Sequence, residues 1–406
     1  MKTHFPLIRA ITGSAILASL MLACGGSGGG GSAPPVAYFG TLNVSLTDAP
    51  ACGFDAVNVT VNKVRVHQSA SASDTDAGWI DITLNPARKI NLLNLTNGAL
   101  EKLGETPLTA GHYTQLRLVL DANTDSGFAN SVIPTGSNIE KSLDTPSAVQ
   151  SGIKLINEFD VAADQRVDLV LDFDACKSVV TKGNGNYALK PVVKVVPTVL
   201  NGISGFINKT LLDSHVMVSA QQNGVIVSAT SPSATTGEFF LARLPTGNYD
   251  VVITADEHAA SVISAVPVAS ASTTTALSTA ITPISMTSSI VGNISGTTTL
   301  TPASATEVAY VTARQSFAAG PTVVIKYKGA DLLTGDYVIS NLPVAAPQYA
   351  VYSASLPLAF ATSTTTVPGT GKYRVDASAT GYTSKSIASV DISATDQFNV
   401  NFALVP

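Results

Sequence analysis

Charge is scarce in this chain: only 13% of its 406 residues are Asp, Glu, Lys or Arg, and the formal net charge is −5. Lys and Arg form no cluster, which excludes a phosphate-tracking nucleic-acid surface and electrostatic docking on anionic lipid. Cysteine is rarer still, with three in all, and no group of them has zinc-ligand spacing. Beyond Leu22 no stretch offers about eighteen uninterrupted apolar residues, so no later segment reads as a membrane-spanning helix. G-x-S-x-G, H-E-x-x-H and the P-loop are all missing. His67, His112, His215 and His258 are scattered, none at a recognised spacing from a serine or cysteine. These absences point away from an enzyme and leave open only a hydrolase triad assembled through space.

Ser, Thr, Val and Ala dominate what is there, a composition that favours β structure. The length exceeds one core and suits about two to four domains. The expected fold class is all-β: serial antiparallel β-sandwich domains, Ig-like or transthyretin-like Greek keys, behind a signal peptide.

The start, MKTHFPLIRAITGSAILASLMLAC, has Lys2 and Arg9, an uncharged stretch from Ala10 to Leu22, and small Ala23 before Cys24. Residues 1–23 read as a secretory signal, too short to span a bilayer. A cysteine at this junction resembles the lipobox of bacterial lipoproteins, with Met21 where that family usually has Leu. The resemblance implies that Cys24 becomes the mature N-terminus and carries the acyl chains. Residues 24–37 are then the acylated cysteine and a tether, in which GGSGGGGSAPP behaves as a flexible coil reaching roughly 18 Å. Gly25 stands where inner-membrane retention usually requires Asp, which implies the outer membrane of a Gram-negative bacterium. Loss of Lys2 and Arg9 with the signal moves the formal charge to −7. Cys52 and Cys176 remain, in an oxidising compartment. They form either a disulfide closing a loop of about 124 residues, worth up to roughly 5 kcal/mol in the chain-entropy model, or two free thiols.

The first folded unit is expected over residues 38–199. Leu42, Val44 and Leu46 alternate toward one face. Val57, Val59 and Val61 share a face before the parity slips to Val64 and Val66, which predicts a β-bulge at Asn62–Lys63. A short helical turn is predicted around Gly98–Gly104, and Trp79 is assigned to the core. VSLTDAP, INLLNLTNG, GHYTQLRL and DFDACKSVV…GNGNYALKPVVKVV occur in order and resemble a bacterial lipoprotein domain of unknown function, the DUF4382 type. The resemblance implies secretion and a β-rich fold, and brings no activity.

The second half repeats itself. TGEFFLARLP at Thr236–Pro245 aligns with TGDYVISNLP at Thr334–Pro343, and ISG precedes each. GNYDVVITA pairs with GKYRVDASATGY, leaving an insertion near residues 344–370 in the second copy. The pattern resembles carboxypeptidase-regulatory-like domains, which implies seven-stranded transthyretin-like sandwiches over 200–284 and, in divergent form, 285–406. Gly-x-Tyr recurs at Tyr113, Tyr187, Tyr249, Tyr337 and Tyr373. A tyrosine corner, its hydroxyl bonded to backbone, explains this better than a row of sugar platforms.

Three constellations carry candidate chemistry. In VDLVLDFDAC, period 2 turns Leu169, Leu171 and Phe173 inward and leaves Asp168, Asp172 and Asp174 together, either for calcium or as a solvated face. DANTDSG offers oxygen donors at Asp121, Asn123 and Asp125 but lacks the glycine and the bidentate acid of a calcium loop, so it reads as a polar hairpin. GNGNYA is a hairpin turn, because a strand with Pro191 follows where a nucleotide fold needs a helix. Tyr349 and Tyr352 in the insertion are the candidate ligand-binding aromatics. No cofactor is implied beyond calcium. The expected function is a non-catalytic, lipid-anchored cell-envelope protein acting as a binding or structural/adhesion module, its partners the membrane and envelope proteins or glycans. A carbohydrate-binding surface protein and a secreted hydrolase are the alternatives.

Overall fold

Period-2 apolar patterning produces strands along almost the whole chain, and the strands fold into paired sheets. The structure, a computed structural model, describes residues 38–49, 53–124, 127–155, 157–196, 201–318 and 320–406. Within residues 38–406, one compact unit, three hydrophobic cores define three lobes. The signal, Cys24 and the tether lie outside the described residues, as do Cys52 and Asp125.

In the first lobe a four-stranded sheet runs Val193–Val196, Arg166–Asp174, Phe39–Ala49, Glu101–Thr109. Its two middle strands are parallel, with Leu42 opposite Val167 and Ala49 opposite Asp174. A larger sheet is built around the 14-residue strand Phe54–His67. The two layers meet through Leu42, Val44 and Leu46 on one side and Val57, Val59 and Val61 on the other, all fully buried. The register of Phe54–His67 slips between Val61 and Lys63 against both neighbours. This is the expected bulge, and it lets Val64 and Val66 stay inside. Two local expectations fail. Residues 98–104 hold no helix: Glu101–Thr109 is a strand, and the helical turn lies upstream at Leu92–Leu95, where the Asn91 side chain accepts from the Leu93 N–H. Trp79 is not core but half-buried, its ring flanked by the Arg65 and Arg117 guanidinium groups at 4.9 and 4.8 Å.

The second and third lobes share one topology. In the second, a three-stranded sheet (Glu238–Ala242, Gly202–Phe206, Thr274–Ala276) faces four strands in the order Val225–Thr230, Met217–Gln222, Gly247–Thr254, Ser261–Val268. In the third, Asp336–Pro343, Val291–Leu300, Phe402–Leu404 face Thr322–Gly329, Tyr310–Phe317, Lys372–Ser378, Lys385–Asp391. The sequence repeat is thus a repeat of seven strands in the same order. Its shared Thr-Gly has a shared cause. Gly237 and Gly335 have φ +76° and +74°, and a Cβ on either would lie 2.3 or 2.1 Å from a carbonyl oxygen, of Ile207 or Thr298. Only glycine fits.

The insertion behaves unlike the rest of its lobe. Gln348–Val351 leaves the third lobe and joins the second, pairing in parallel with Ser261–Val268 from Ser261↔Gln348 to Ser264↔Val351. Ala350 and Leu358 bury in the second core. In return Val252, Ala260 and Val262 of the second lobe belong to the third core. The two lobes interlock.

Candidate functional site

Three of the four segments that carried the first-lobe resemblance meet at one end of that lobe, while Tyr113 of GHYTQLRL lies at the other, bonded to Thr109 opposite Phe39. Thr47 of VSLTDAP donates to the carbonyls of Leu95 and Ala99, and Asp48 accepts from the Ala175 N–H at 3.1 Å. Asn97 of INLLNLTNG has φ +58°. That conformation, which Asn tolerates, turns its amide onto the second lobe: its N–H bonds the Thr230 hydroxyl, its Nδ2 the Ser231 carbonyl, and its Oδ1 accepts from the Phe240 N–H. The seam to the third lobe is equally polar. Tyr310 donates to the Lys177 carbonyl, Lys190 pairs with Glu307 at 2.8 Å, and the Gly183 N–H reaches Asp331 at 2.7 Å.

The three predicted aspartates divide among separate tasks. Asp168 accepts from Asn43 and Arg166. Asp174 caps the short helix Ala175–Ser178 by accepting from the Lys177 N–H, and pairs with the Lys177 ammonium. Asp172 lies on the seam beside a cavity of about 20 Å³ bordered by Thr47, Asn97 and, from the second lobe, Arg243. Burial pushes its carboxyl up to about 6, with the Asp174 charge adding to the rise. Burial conversely lowers the Arg243 guanidinium, and its Nε is a buried donor without a partner among the described residues. Asp121 accepts from Asn62, and Asn123 bonds Ser142, Leu143 and Asn130 within its hairpin. Among the described residues no group of three or more His, Cys, Asp or Glu could hold a metal ion.

Beside the seam a cleft of about 810 Å³ opens where all three lobes meet. The first lobe contributes Phe54, Asp55 and Leu93, the second His215 and Asp256, the third Lys326, Lys328 and Val338. Asp256 is the hub: His215 Nδ1 lies 3.0 Å from one oxygen and Lys326 Nζ 3.1 Å from the other. The Lys326 charge and the bonds from Lys326 and His215 hold its carboxyl below the usual range against burial, the largest single influence, which pushes the other way. Sequence reasoning named His215 only as a scattered histidine and passed over Asp256 and Lys326, which 70 positions separate. The imidazoles of His67, His112, His215 and His258 bond backbone atoms or carboxylates; none is bonded to a Ser, Thr or Cys side chain among the described residues.

Tyr349 and Tyr352 are half-buried in the interlobe packing. Tyr349 stacks on Phe317 with ring centroids 4.8 Å apart, and its hydroxyl lies 2.7 Å from that of Ser264. Tyr352 packs against the second core. Four of the five Gly-x-Tyr hydroxyls bond carbonyls: Tyr113 to Thr109, Tyr249 to Pro245, Tyr337 to Val400 and Tyr373 to Pro343. Tyr187 instead packs its edge against Phe54. Cys176 lies in the short helix Ala175–Ser178.

Residues 39–191 carry a domain that matches the family model described as Domain of unknown function (DUF4382). No curated protein matches the chain. Among solved structures, the chain is similar to the TIE protein of Bacillus anthracis at 10% identity and TM-score 0.17, over 90% of this chain and 50% of that one. For the major pilin SpaA of Corynebacterium diphtheriae the values are 14% and 0.20, over 91% and 100%. For BcpA, the major pilin subunit of Bacillus cereus, they are 11% and 0.14, over 90% and 99%. The chain spans half the length of the first of these. At such TM-scores none bears on what this protein does.

Proposed function

We propose that this is a non-catalytic, lipid-anchored protein of the cell envelope, acylated at Cys24, whose three-lobed body acts as a binding or structural/adhesion module. One observation carries the reading. The chain enters the body at Tyr38, and the 11-residue strand Phe39–Ala49 then runs roughly 35 Å to the seam where the other lobes dock. An anchor upstream of Tyr38 would join the body at the end of this strand opposite the seam. A Cys52–Cys176 bridge would tie that strand's far end to the helix beside it, and the second and third lobes take the part of regulatory-like sandwiches. The insertion's tyrosines are engaged in packing, which favours a protein-binding over a glycan-binding body.

Labelling with a palmitate analogue, followed by membrane fractionation, tests the anchor. The wild-type chain is expected to take up label and sediment with outer membranes, while Cys24→Ser loses the label and becomes soluble. An unlabelled wild-type chain, or a Cys24→Ser variant that still sediments, would overturn the reading.

A further inference from the structure

The three-lobe cleft has the features of a peptide receptor. Its third-lobe wall is made from Thr322–Gly329 and Asp336–Pro343, each the last strand of its sheet. Terminal strands keep unpaired backbone groups on their outer edge. This edge already accepts amide partners: the Gln221 side chain donates to the Val324 carbonyl and accepts from the Val324 N–H, at 2.8 and 2.9 Å. Beyond Val324 the Lys326 and Lys328 backbone groups turn back to Tyr310–Phe317, and the outward backbone groups on the cleft wall are those of Val338 and Ser340 in Asp336–Pro343. The body also shows that it can take an extended segment on a sheet edge, since Gln348–Val351 is held that way.

The lining narrows the ligand. Aliphatic chains, among them Leu93, Leu212 and the half-exposed Val338, alternate with amides such as Asn94 and Asn341. Aliphatic pockets with backbone-matching amides suit polypeptide, whereas saccharides are held on exposed aromatic faces. Charge narrows it again. Asp256 is already paired with the Lys326 ammonium and bonded by His215, but the Lys328 ammonium has no ion-pair or hydrogen-bond partner among the described residues. It is exposed on the cleft wall, where an anion placed beside it gains an ion pair. Asp55 on the facing wall, equally unpaired among the described residues, repels a polyanion.

We propose that the cleft binds an extended peptide segment carrying one carboxylate, which seats at Lys328 while the backbone lies along the open edge of Asp336–Pro343. The carboxylate is that of an acidic side chain or of a chain terminus. The proposal rests on the reading of the body as a binding module.

The test uses the full-length chain in detergent and a library of acetylated heptapeptides built from Val, Leu, Ser and Thr with one Glu. Each is made with an amidated and with a free C-terminus, and each has a Gln counterpart. Saturable binding is expected, with loss of the decisive carboxylate weakening it about tenfold, or roughly 1.4 kcal/mol. The Glu/Gln pair and the amide/acid pair show which carboxylate it is. Lys328→Met is expected to erase that difference with an unchanged urea midpoint, and Val338→Arg to abolish binding. The proposal is overturned if no peptide binds, if Lys328→Met still distinguishes acid from amide as the parent does, or if Val338→Arg binds normally. Peptide failure with Cys24-dependent membrane sedimentation intact leaves the anchor reading standing, so the two fail separately.

Discussion

Asp172 shows how a residue can be informative by being uncomfortable. Its carboxyl is raised to about 6 by burial first and by Asp174 second, so the folded protein holds that proton more tightly than the unfolded chain. The stabilisation from protonation is complete below the ordinary carboxylate range and disappears as pH rises through about 6. Asp172→Asn, which mimics the protonated form, is therefore expected to be more stable than the parent at about pH 7 by roughly 1–2 kcal/mol, allowing for its partial exposure. The difference should vanish near pH 4, and urea midpoints across that range read it directly. A variant less stable than the parent at pH 7 would mean that the Arg243 attraction outweighs the burial. Tyr249 makes the opposite case. It is buried to 1% and bonds the Pro245 carbonyl at 2.7 Å, so Tyr249→Phe strands an acceptor and should cost about 1–2 kcal/mol. Equal stability of the two proteins would remove the corner from the energetics.

At the scale of elements, the same strand is treated in two ways. Ser261–Val268 and Lys385–Asp391 are equivalent in the two repeats, and each carries a register shift against its inner neighbour. The first is buried over most of its length and covered by Gln348–Val351. The second is mostly exposed, begins with Lys385 and ends with Asp391. Charged ends and a bulge blunt an edge without covering it. Because an apolar edge must be covered, the covering strand should matter. Ala350 is 3% exposed within it, and Ala350→Asp places a charge in the second core. A loss of at least about 2 kcal/mol is expected, with faster hydrogen exchange along Ser261–Val268 than in the first lobe. Uniform exchange across all lobes would argue against a local role.

For the whole molecule, the interlock predicts that the second and third lobes unfold together. The second core is incomplete without Ala350 and Leu358, and the third draws on Val252 and Val262. A fragment of residues 201–289 is expected to aggregate or dimerise through its bare edge, whereas 201–406 stays soluble and melts in one transition. Size-exclusion chromatography and calorimetry of the two fragments check this; a monomeric, cooperatively folding 201–289 would show that the covering strand is dispensable.

Local physics made much of this legible in the residues alone. Alternating valines mark buried faces because side chains change sides at every residue, and the slip at Asn62–Lys63 declares its bulge by the same rule. Gly-x-Tyr predicts a corner, and at Tyr113 and Tyr249 the hydroxyl bonds a carbonyl four residues back, whereas Tyr337 and Tyr373 reach carbonyls 63 and 30 positions away. The expected signal and the junction at Cys24 are likewise read from linear sequence. Tertiary structure alone decided where the edges go. Nothing in Gln348–Val351 says that it leaves its own lobe, since period 2 reports which face a residue takes and not which strand lies beside it. The seam and cleft depend on that same missing information. Asn97 bonds residues more than 130 positions away, and only the folded lobes bring His215, Asp256 and Lys326 together.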